Sequence, residues 1–361
     1  MSEGTTGGVA VCSTCRRRLR QLLVLLVVLA LLGIGTLYIQ YHNFIRQPLT
    51  LAQDEVPFTI TPGMSLGQLA RRLHGQGIIR HPRLFVQLGR HMRVAQHLKA
   101  GEYILTPALT PQSLLQLFRD GKVVQYSLAI IEGQTFAELR RSIEEHPVLQ
   151  QTLLGLDDAA VMDRIGHPGE PPEGRFLADT YHFPRSTSDV DFLRRAWQAM
   201  TTTLDSAWQA RDPGLPLATP YEALILASIV EKETGIAEER PRIAGVFLRR
   251  LQRGMKLQTD PTVIYGLGEE FDGNIRRSDL TTDTPYNTYT RAGLPPTPIA
   301  TPGRAAIEAV LHPADGDELF FVASGGGRHY FSSTLEEHER AVDKYQRGKH
   351  GIRLPGEETA Q

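Results

Sequence analysis

An uninterrupted apolar segment close to the N-terminus constrains this chain more than any other feature. Residues 22–39, LLVLLVVLALLGIGTLYI, contain no charged side chain. At 1.5 Å per residue, a helix of these 18 residues is about 27 Å long, close to the thickness of the hydrocarbon layer of a membrane. We therefore expect residues 22–39 to form a single transmembrane anchor.

Charged residues on either side of the apolar segment predict its orientation. An arginine-rich stretch, RRRLR at residues 16–20, directly precedes it, and no comparable basic cluster follows. Because basic residues concentrate on the cytoplasmic side of a membrane, residues 1–21 are expected to be a cytoplasmic tail. The large C-terminal portion would then lie outside the inner (cytoplasmic) membrane. A cleaved signal peptide is the alternative, but residues 38–42 lack the small side chains of a cleavage site.

The composition argues against several classes of protein. The 361 residues are 22% charged and 41% hydrophobic with a formal net charge of −1, which is typical of globular domains and does not favour nucleic acid as a partner. The two cysteines, Cys12 and Cys15, lie in a CSTC run without further metal ligands nearby. The sequence also lacks HExxH, GxSxG and glycine-rich phosphate-binding motifs. We expect neither a metal ion nor a cofactor.

Residues 56–122 are expected to form a small α+β module, joined to the anchor by a linker of residues 40–55. The predicted elements are strands at 56–60 and 101–105, a turn at 61–65 that ends in a Ser65 helix cap, helices at 66–73 and 82–92, and a third helix capped by Ser113. The first strand, the Pro-Gly-x-Ser turn and the helix after it resemble the start of a LysM-like glycan-binding module. An ordinary spacer domain is the alternative.

Residues 123–349 are expected to form a larger mixed α+β domain, followed by a flexible C-terminal tail of residues 350–361. The predicted elements are a strand at 123–131, a long helix at 189–211, a helix at 220–234, a hairpin that turns at SGGG in residues 324–327, and a final helix from 334 to about 349. The predicted fold class is therefore α+β with one N-terminal transmembrane helix.

The helix at residues 220–234 has the clearest boundaries in the chain. Thr219 can cap its N-terminus, Pro220 suits its first turn, and Glu222 completes a capping box. Gly235 is the expected stop signal.

Two carboxylates, Glu231 and Glu233, lie near the end of this helix. At about 100° per residue, Glu233 falls between Ile229 and Leu226 on the most apolar face, whereas Glu231 falls on the opposite side. Desolvation, the negative end of the helix dipole and repulsion from Glu231 would each raise the pKa of Glu233. A carboxyl group that keeps its proton near neutral pH is suited to general acid catalysis. The alternative is that both carboxylates are solvated at a frayed helix end.

Several sequence blocks resemble one known family. They are ASIVEKET at residues 227–234, LQTDPTVIYG at 257–266, PYNTY at 285–289, GLPP at 293–296 and ATPG at 300–303. In this order they resemble the YceG-like family of endolytic murein transglycosylases, over residues 56–345. The resemblance implies that Glu233 is the catalytic residue of a lytic transglycosylase. Such an enzyme cleaves the β-1,4 bond between N-acetylmuramic acid and N-acetylglucosamine and leaves a 1,6-anhydro ring.

The resemblance also places a set of polar and aromatic residues in the site. Amide, hydroxyl and carboxylate groups and flat rings suit the recognition of sugars. The candidate substrate-binding residues are Glu231, Gln258, Thr259, Asp260, Tyr286, Asn287 and Tyr289. Asp260 followed by Pro261 is also typical of the N-cap and first turn of a short helix, so a structural role for Asp260 stays open.

Three functions compete at this point. The first is a membrane-anchored lytic transglycosylase that cuts nascent peptidoglycan strands near the membrane, with peptidoglycan synthases as partners. In that reaction Glu233 acts first as acid and then as base, so no second carboxylate is needed. The second is a non-catalytic envelope scaffold that binds glycan through residues 56–122. The third is a hydrolytic muramidase in which Asp260 is the partner carboxylate of Glu233.

Overall fold

The computed structural model describes residues 13–347 of the chain and the side chains of residues 20–346. Cys12, most of the expected cytoplasmic tail and the expected C-terminal tail of residues 350–361 lie outside the described residues. The chain divides into two compact units, one extending to Gln125 and the other beginning at Tyr126. Both contain helices and strands, so the mixed α+β class is confirmed.

A single long helix, α1, opens the described part of the chain. It spans Ser13–Arg46, and its portion Arg20–Arg46 is the one described helix that is long and apolar enough to cross a membrane. The apolar side chains of residues 22–39 point away from the protein, as Leu37 does with 66% of its surface exposed. A helix that is apolar all round and not buried in protein is compatible with a single-pass anchor.

The anchor helix continues into the first unit without a break. Within residues 40–55, which we expect to be a linker, residues 40–46 are helical. Phe44 and the following Leu49 are buried in the core of the unit, with Tyr41 and Ile45 packed beside them. These helical positions recur at the three- and four-residue spacing of an amphipathic face, which explains why the helix docks instead of ending.

The first unit is a two-stranded sheet with three short helices. Its elements are β1 (Val56–Ile60), α2 (Leu66–Gly75), α3 (Pro82–His91), β2 (Gly101–Leu105) and α4 (Pro111–Asp120). Strands β1 and β2 pair antiparallel with Val56 opposite Leu105. Ser65 caps α2 as predicted, but Thr110 rather than Ser113 caps α4. The Ser113 hydroxyl instead accepts the Thr110 backbone N–H at 2.8 Å, which makes it the second half of a capping box.

The second unit contains the remaining elements, the first of which begins at the boundary residue Gln125. They are β3 (Gln125–Ile130), α5 (Phe136–Glu144), α6 (Asp158–Ile165), β4 (Asp179–Pro184), α7 (Asp189–Ala210), α8 (Pro220–Glu233), α9 (Arg240–Gln252), α10 (Asp260–Leu267), α11 (Arg277–Thr281), α12 (Arg304–Leu311), β5 (Phe320–Gly325), β6 (Arg328–Ser332), α13 (Leu335–Val342) and a π-helical turn, Asp343–Arg347. Strand β3 pairs with β4, and β5 pairs antiparallel with β6 as the predicted hairpin.

Helix α8 lies at the centre of the second unit. It packs against α7, α9, α10 and α12, and every residue from Ala223 to Val230 is buried. Thr219 caps it as predicted by accepting the Glu222 backbone N–H at 3.2 Å. The Glu222 carboxylate accepts the N–H of Ala218 at 2.6 Å, one residue before the position that the predicted capping box requires. The buried part of α8 positions its last turn, which carries Glu231 and Glu233.

The docking of α1 predicts a difference between two apolar positions on the same helix. Replacing Phe44, which is 7% exposed, by Ala should destabilise the first unit by about 3 kcal/mol, because it leaves a cavity in the core. Replacing Leu37, which is 66% exposed, should change stability by much less. Hydrogen exchange of the β2 amides in the detergent-solubilised full chain measures both effects. Equal small changes would show that the helix does not dock on the unit.

Candidate active site

Glu233 faces a cavity at the end of α8. The cavity has a volume of about 510 Å³ and lies within the second unit. Its lining includes five residues that the sequence predicted for the site: Glu233, Gln258, Thr259, Asp260 and Tyr289. The other lining residues are Arg250, Leu257, Phe320, Phe321, Val322, Ala323, His329, Leu335, His338, Val342 and Gln346. The side of the cavity formed by Glu233 and residues 258–260 is therefore polar. The side formed by the β5–β6 hairpin and α13 is largely apolar.

The environment of Glu233 holds its proton near neutral pH. Burial is the main cause that raises the pKa of this carboxyl group to about 7, and the negative charge of Asp260 acts in the same direction. The Thr259 hydroxyl donates a hydrogen bond to Oε1 of Glu233, and this bond lowers the pKa, as does the nearby His329. The expectation of a raised pKa is thus confirmed in direction. The carboxylate that repels Glu233 is Asp260, not Glu231.

The turn at residues 258–260, which we call the corner, places the Thr259 hydroxyl within hydrogen-bond distance of Glu233. Gln258 has a positive φ of 53°, which turns the chain sharply before α10. The Gln258 and Thr259 backbone N–H groups donate to the carbonyl and hydroxyl oxygens of Thr288, at 3.2 and 3.1 Å. Thr259 is the N-cap of α10, yet its hydroxyl makes no capping bond, because it is committed to Glu233. The predicted N-cap, Asp260, is instead the first helical residue.

The segment at residues 286–289 supports the corner from the other side. The Tyr289 hydroxyl donates to Oδ1 of Asp260 at 2.5 Å, and burial raises the pKa of Tyr289. Asn287 is buried, and its amide donates to two backbone carbonyls, those of Asp279 at 3.0 Å and Thr282 at 2.7 Å. Its Oδ1 accepts the Tyr289 N–H at 2.9 Å. Asn287 therefore fixes the loop that carries Tyr289 and does not itself line the cavity.

Arg250 joins the corner to the β5–β6 hairpin. This buried side chain of α9 donates to the carbonyl oxygens of Leu319 at 2.6 Å and Leu257 at 2.8 Å. Its guanidinium also lies 5.0 Å from the centre of the Phe320 ring, a cation–π distance. Burial lowers the pKa of Arg250, although an arginine remains charged. Arg250 thus connects the polar side of the cavity, through Leu257, to the hairpin side, through Leu319.

The hairpin brings a histidine into the cavity that the sequence analysis did not identify. His329 shares a hydrogen bond between its Nδ1 and Oε2 of the buried Glu239 at 2.8 Å, and its backbone N–H donates to the same carboxylate at 3.1 Å. On α13, His338 stacks on Phe320 with ring centres 5.2 Å apart. These two histidines lie 96 and 105 residues after Glu233 in the sequence, and their local sequence patterns indicate only a hairpin and a surface helix.

Two predicted contacts, Glu231 and Tyr286, also lie outside the cavity lining. The Glu231 side chain is only 6% exposed, accepts the Gly303 N–H at 2.9 Å and pairs with Arg240 at 3.4 Å. Glu231 is therefore neither solvated nor on a frayed helix end, because these two contacts hold its carboxylate. The Tyr286 hydroxyl is bonded to the Thr297 hydroxyl at 2.8 Å.

Comparison with known proteins gives a consistent result. The sequence profile described as the YceG-like family matches residues 58–344. An endolytic murein transglycosylase of Bacillus subtilis is 28% identical over 311 residues, covering 81% of this chain and 86% of the relative. One of Streptococcus pneumoniae R6 is 27% identical over 360 residues, covering 89% of this chain and 64% of the relative. A crystal structure of a yceG-like protein from Listeria monocytogenes is 29% identical with a TM-score of 0.50, covering 80% of this chain and 99% of that one.

The raised pKa of Glu233 predicts a pH-dependent cost to stability. The folded-state pKa of about 7 exceeds the ordinary value of 4.5, so the stability that the protonated form contributes is lost as pH rises from about 4.5 through 7. Glu233→Gln has no such titration and should gain stability relative to the native chain over that range, by about 3 kcal/mol above pH 7.

Urea unfolding followed by tryptophan fluorescence measures this difference, because both tryptophans, Trp197 and Trp208, lie in the second unit. The exposed Glu238 supplies the control variant Glu238→Gln, which keeps Glu233 and should therefore follow the native chain at every pH. A stability difference between Glu233→Gln and the native chain that is the same at pH 5 and pH 8 would contradict the raised pKa.

Proposed function

This chain belongs to the YceG-like family, and on that premise we propose that it is a membrane-anchored lytic transglycosylase that cleaves peptidoglycan strands internally. The observation that carries the proposal is the state of Glu233. It is a carboxylic acid that opens into a cavity and whose pKa burial raises to about 7. The names of the Bacillus and Streptococcus relatives support peptidoglycan as the substrate.

The proposed reaction needs one residue for both proton transfers. Glu233 protonates the oxygen of the β-1,4 bond between N-acetylmuramic acid and N-acetylglucosamine, and the bond from that oxygen to C1 breaks. The resulting carboxylate then accepts the proton of the muramic C6 hydroxyl, whose oxygen closes on C1 to form the 1,6-anhydro ring. Protons balance and no water is consumed. A single acid and base of this kind works best when its pKa lies near the working pH.

The contacts of Glu233 suit this double role. The Thr259 hydroxyl donates to Oε1, which leaves Oε2 as the oxygen that carries and exchanges the proton. Asp260 opposes early loss of that proton because its negative charge disfavours a second anion nearby. Once the glycosidic oxygen has taken the proton, the Thr259 hydrogen bond stabilises the carboxylate until it acts as a base.

The other predicted site residues divide into two proposed roles. Gln258, Asp260 and Tyr289 line the cavity with Glu233 and are proposed to contact the glycan. The remaining three, Glu231, Tyr286 and Asn287, bond to backbone or side-chain groups outside the lining, and we assign them to holding the site in shape.

The first unit and the anchor suggest where the enzyme acts. The β-α-α-β order of β1, α2, α3 and β2 supports the proposal of a LysM-like unit that binds glycan. The anchor helix supports a location at the cytoplasmic membrane with the N-terminus inside, so the substrate would be nascent strands close to that membrane. Peptidoglycan synthases are the partners that this location suggests.

Digestion of purified peptidoglycan, with the products analysed by mass spectrometry, tests the reaction. The full chain should release fragments with 1,6-anhydromuramic ends. Glu233→Gln should lower the rate by at least about a hundredfold, since removal of a general acid typically costs that much. Glu238→Gln, a loss of carboxylate at an exposed neighbouring position, should retain the rate.

The same assay separates the alternatives. Reducing ends, together with loss of cleavage in Asp260→Asn, would indicate a hydrolytic muramidase that uses two carboxylates. No cleavage by a chain that still binds peptidoglycan would indicate an envelope scaffold. Full activity of Glu233→Gln would overturn the assignment of the acid.

A further inference from the structure

A basic surface surrounds the point where the anchor helix enters the first unit. Phe44 of α1 packs edge-on against the ring of His81, with ring centres 6.0 Å apart. Arg80 and His81 line one small depression together with Phe44 and residues 47–50. Arg46, Arg80 and Arg83 are all exposed, and we call these three the exit arginines.

The geometry of α1 fixes the depth of this surface relative to a bilayer. The apolar run ends at Ile39, and Phe44 lies five residues further along the helix, a rise of about 7.5 Å. The head-group layer extends about 5–7 Å beyond the hydrocarbon core on each side. His81, the N-cap of α3 that contacts Phe44, is therefore near the outer edge of the head-group layer. Because Phe44 and Leu49 are buried in the core, the unit cannot swing away without losing that packing.

The charges at this level are not compensated within the protein. Residues 47–125 include seven arginines and two lysines but only two aspartates and two glutamates. Among the described residues, the exit arginines make no ion pair, whereas Arg119 of the same unit pairs with Asp120 at 3.2 Å. Cations without a protein partner at the depth of the head groups are suited to lipid phosphates, which the planar guanidinium can bind through two N–H groups.

We propose that the exit arginines bind the head groups of anionic phospholipids in the membrane that anchors the chain, and so hold the first unit against the bilayer. The proposal rests on the membrane anchoring proposed above but not on the catalytic assignment. An anionic surface attracts basic residues close to a membrane-spanning helix, and each adds roughly a fivefold shift in the binding equilibrium. Arg80 and Arg83 together would shift docking of the unit about thirtyfold.

The same unit offers a matched control. Helices α3 and α4 both begin next to the anchor, since His81 and Pro111 line the depression beside Phe44. Their last turns carry Arg90 and Arg119, about 12 Å along the helix from the first helical residue. Arg90→Gln with Arg119→Gln removes the same charge as Arg80→Gln with Arg83→Gln, but away from the exit.

Hydrogen exchange of the full chain in lipid nanodiscs tests the proposal. Amides of residues 78–84 should exchange several-fold more slowly in phosphatidylcholine mixed with phosphatidylglycerol than in phosphatidylcholine alone. The Arg80→Gln, Arg83→Gln chain should lose this protection, and high salt should weaken it. The Arg80→Lys, Arg83→Lys chain and the Arg90→Gln, Arg119→Gln control should retain most of it.

Three results would overturn the proposal. The first is equal exchange in the two lipid mixtures, and the second is equal loss of protection in the exit and control variants. The third is protection that appears only when glycan strands are added, which would assign the arginines to glycan. Exchange of the buried β2 amides, measured in the same experiment, shows whether each variant remains folded, so an unfolded variant cannot be taken for loss of lipid contact.

Discussion

The hydrogen bond from the Thr259 hydroxyl to the Glu233 carboxylate is the contact on which the rest of the site depends. It joins the last residue of α8, the central helix of the second unit, to the N-cap residue of α10. The corner that carries Thr259 is held by Thr288 on one side and, through Leu257, by Arg250 on the other. The core positions the carboxyl group of Glu233 through α8, and the contacts of the corner position the hydroxyl of Thr259. Both groups lie at the edge of one cavity.

The two carboxylates of α8 show how position along a buried helix decides their chemistry. Burial raises the pKa of both Glu231 and Glu233. The Gly303 N–H and Arg240 stabilise the charged form of Glu231. These contacts also fix its side chain against residue 303 and α9. Glu233 accepts one hydrogen bond from a hydroxyl and lies near the negative charge of Asp260, so it holds its proton more tightly than Glu231 does. Its carboxyl group also remains open to the cavity. One is suited to holding the structure and the other to proton transfer.

Local sequence patterns predicted the boundaries of α8, the corner that follows it and the hairpin, because caps, turns and apolar spacing are local signals. They did not predict that α8 is enclosed on every side, since that depends on α7, α9 and α12 packing around it. They also misplaced the N-cap of α10, because the Thr259 hydroxyl bonds to Glu233 instead of capping its own helix. His329 and Arg250 reach the cavity through contacts that span tens of residues, for which no local pattern exists. The continuation of α1 past residue 39 was missed because a polar Gln40 interrupts the apolar run.

The central claim is that the surroundings of Glu233, rather than its residue type, set its proton affinity. Titration of the side-chain carboxyl of Glu233 by carbon NMR in the full chain measures this directly, with Glu233→Gln identifying the signal. The midpoint should lie at about 7 in the native chain. It should rise in Thr259→Val, which removes a hydrogen bond to the charged form, and fall in Asp260→Asn, which removes a like charge. A native midpoint near the ordinary 4.5, unmoved by either substitution, would contradict the account.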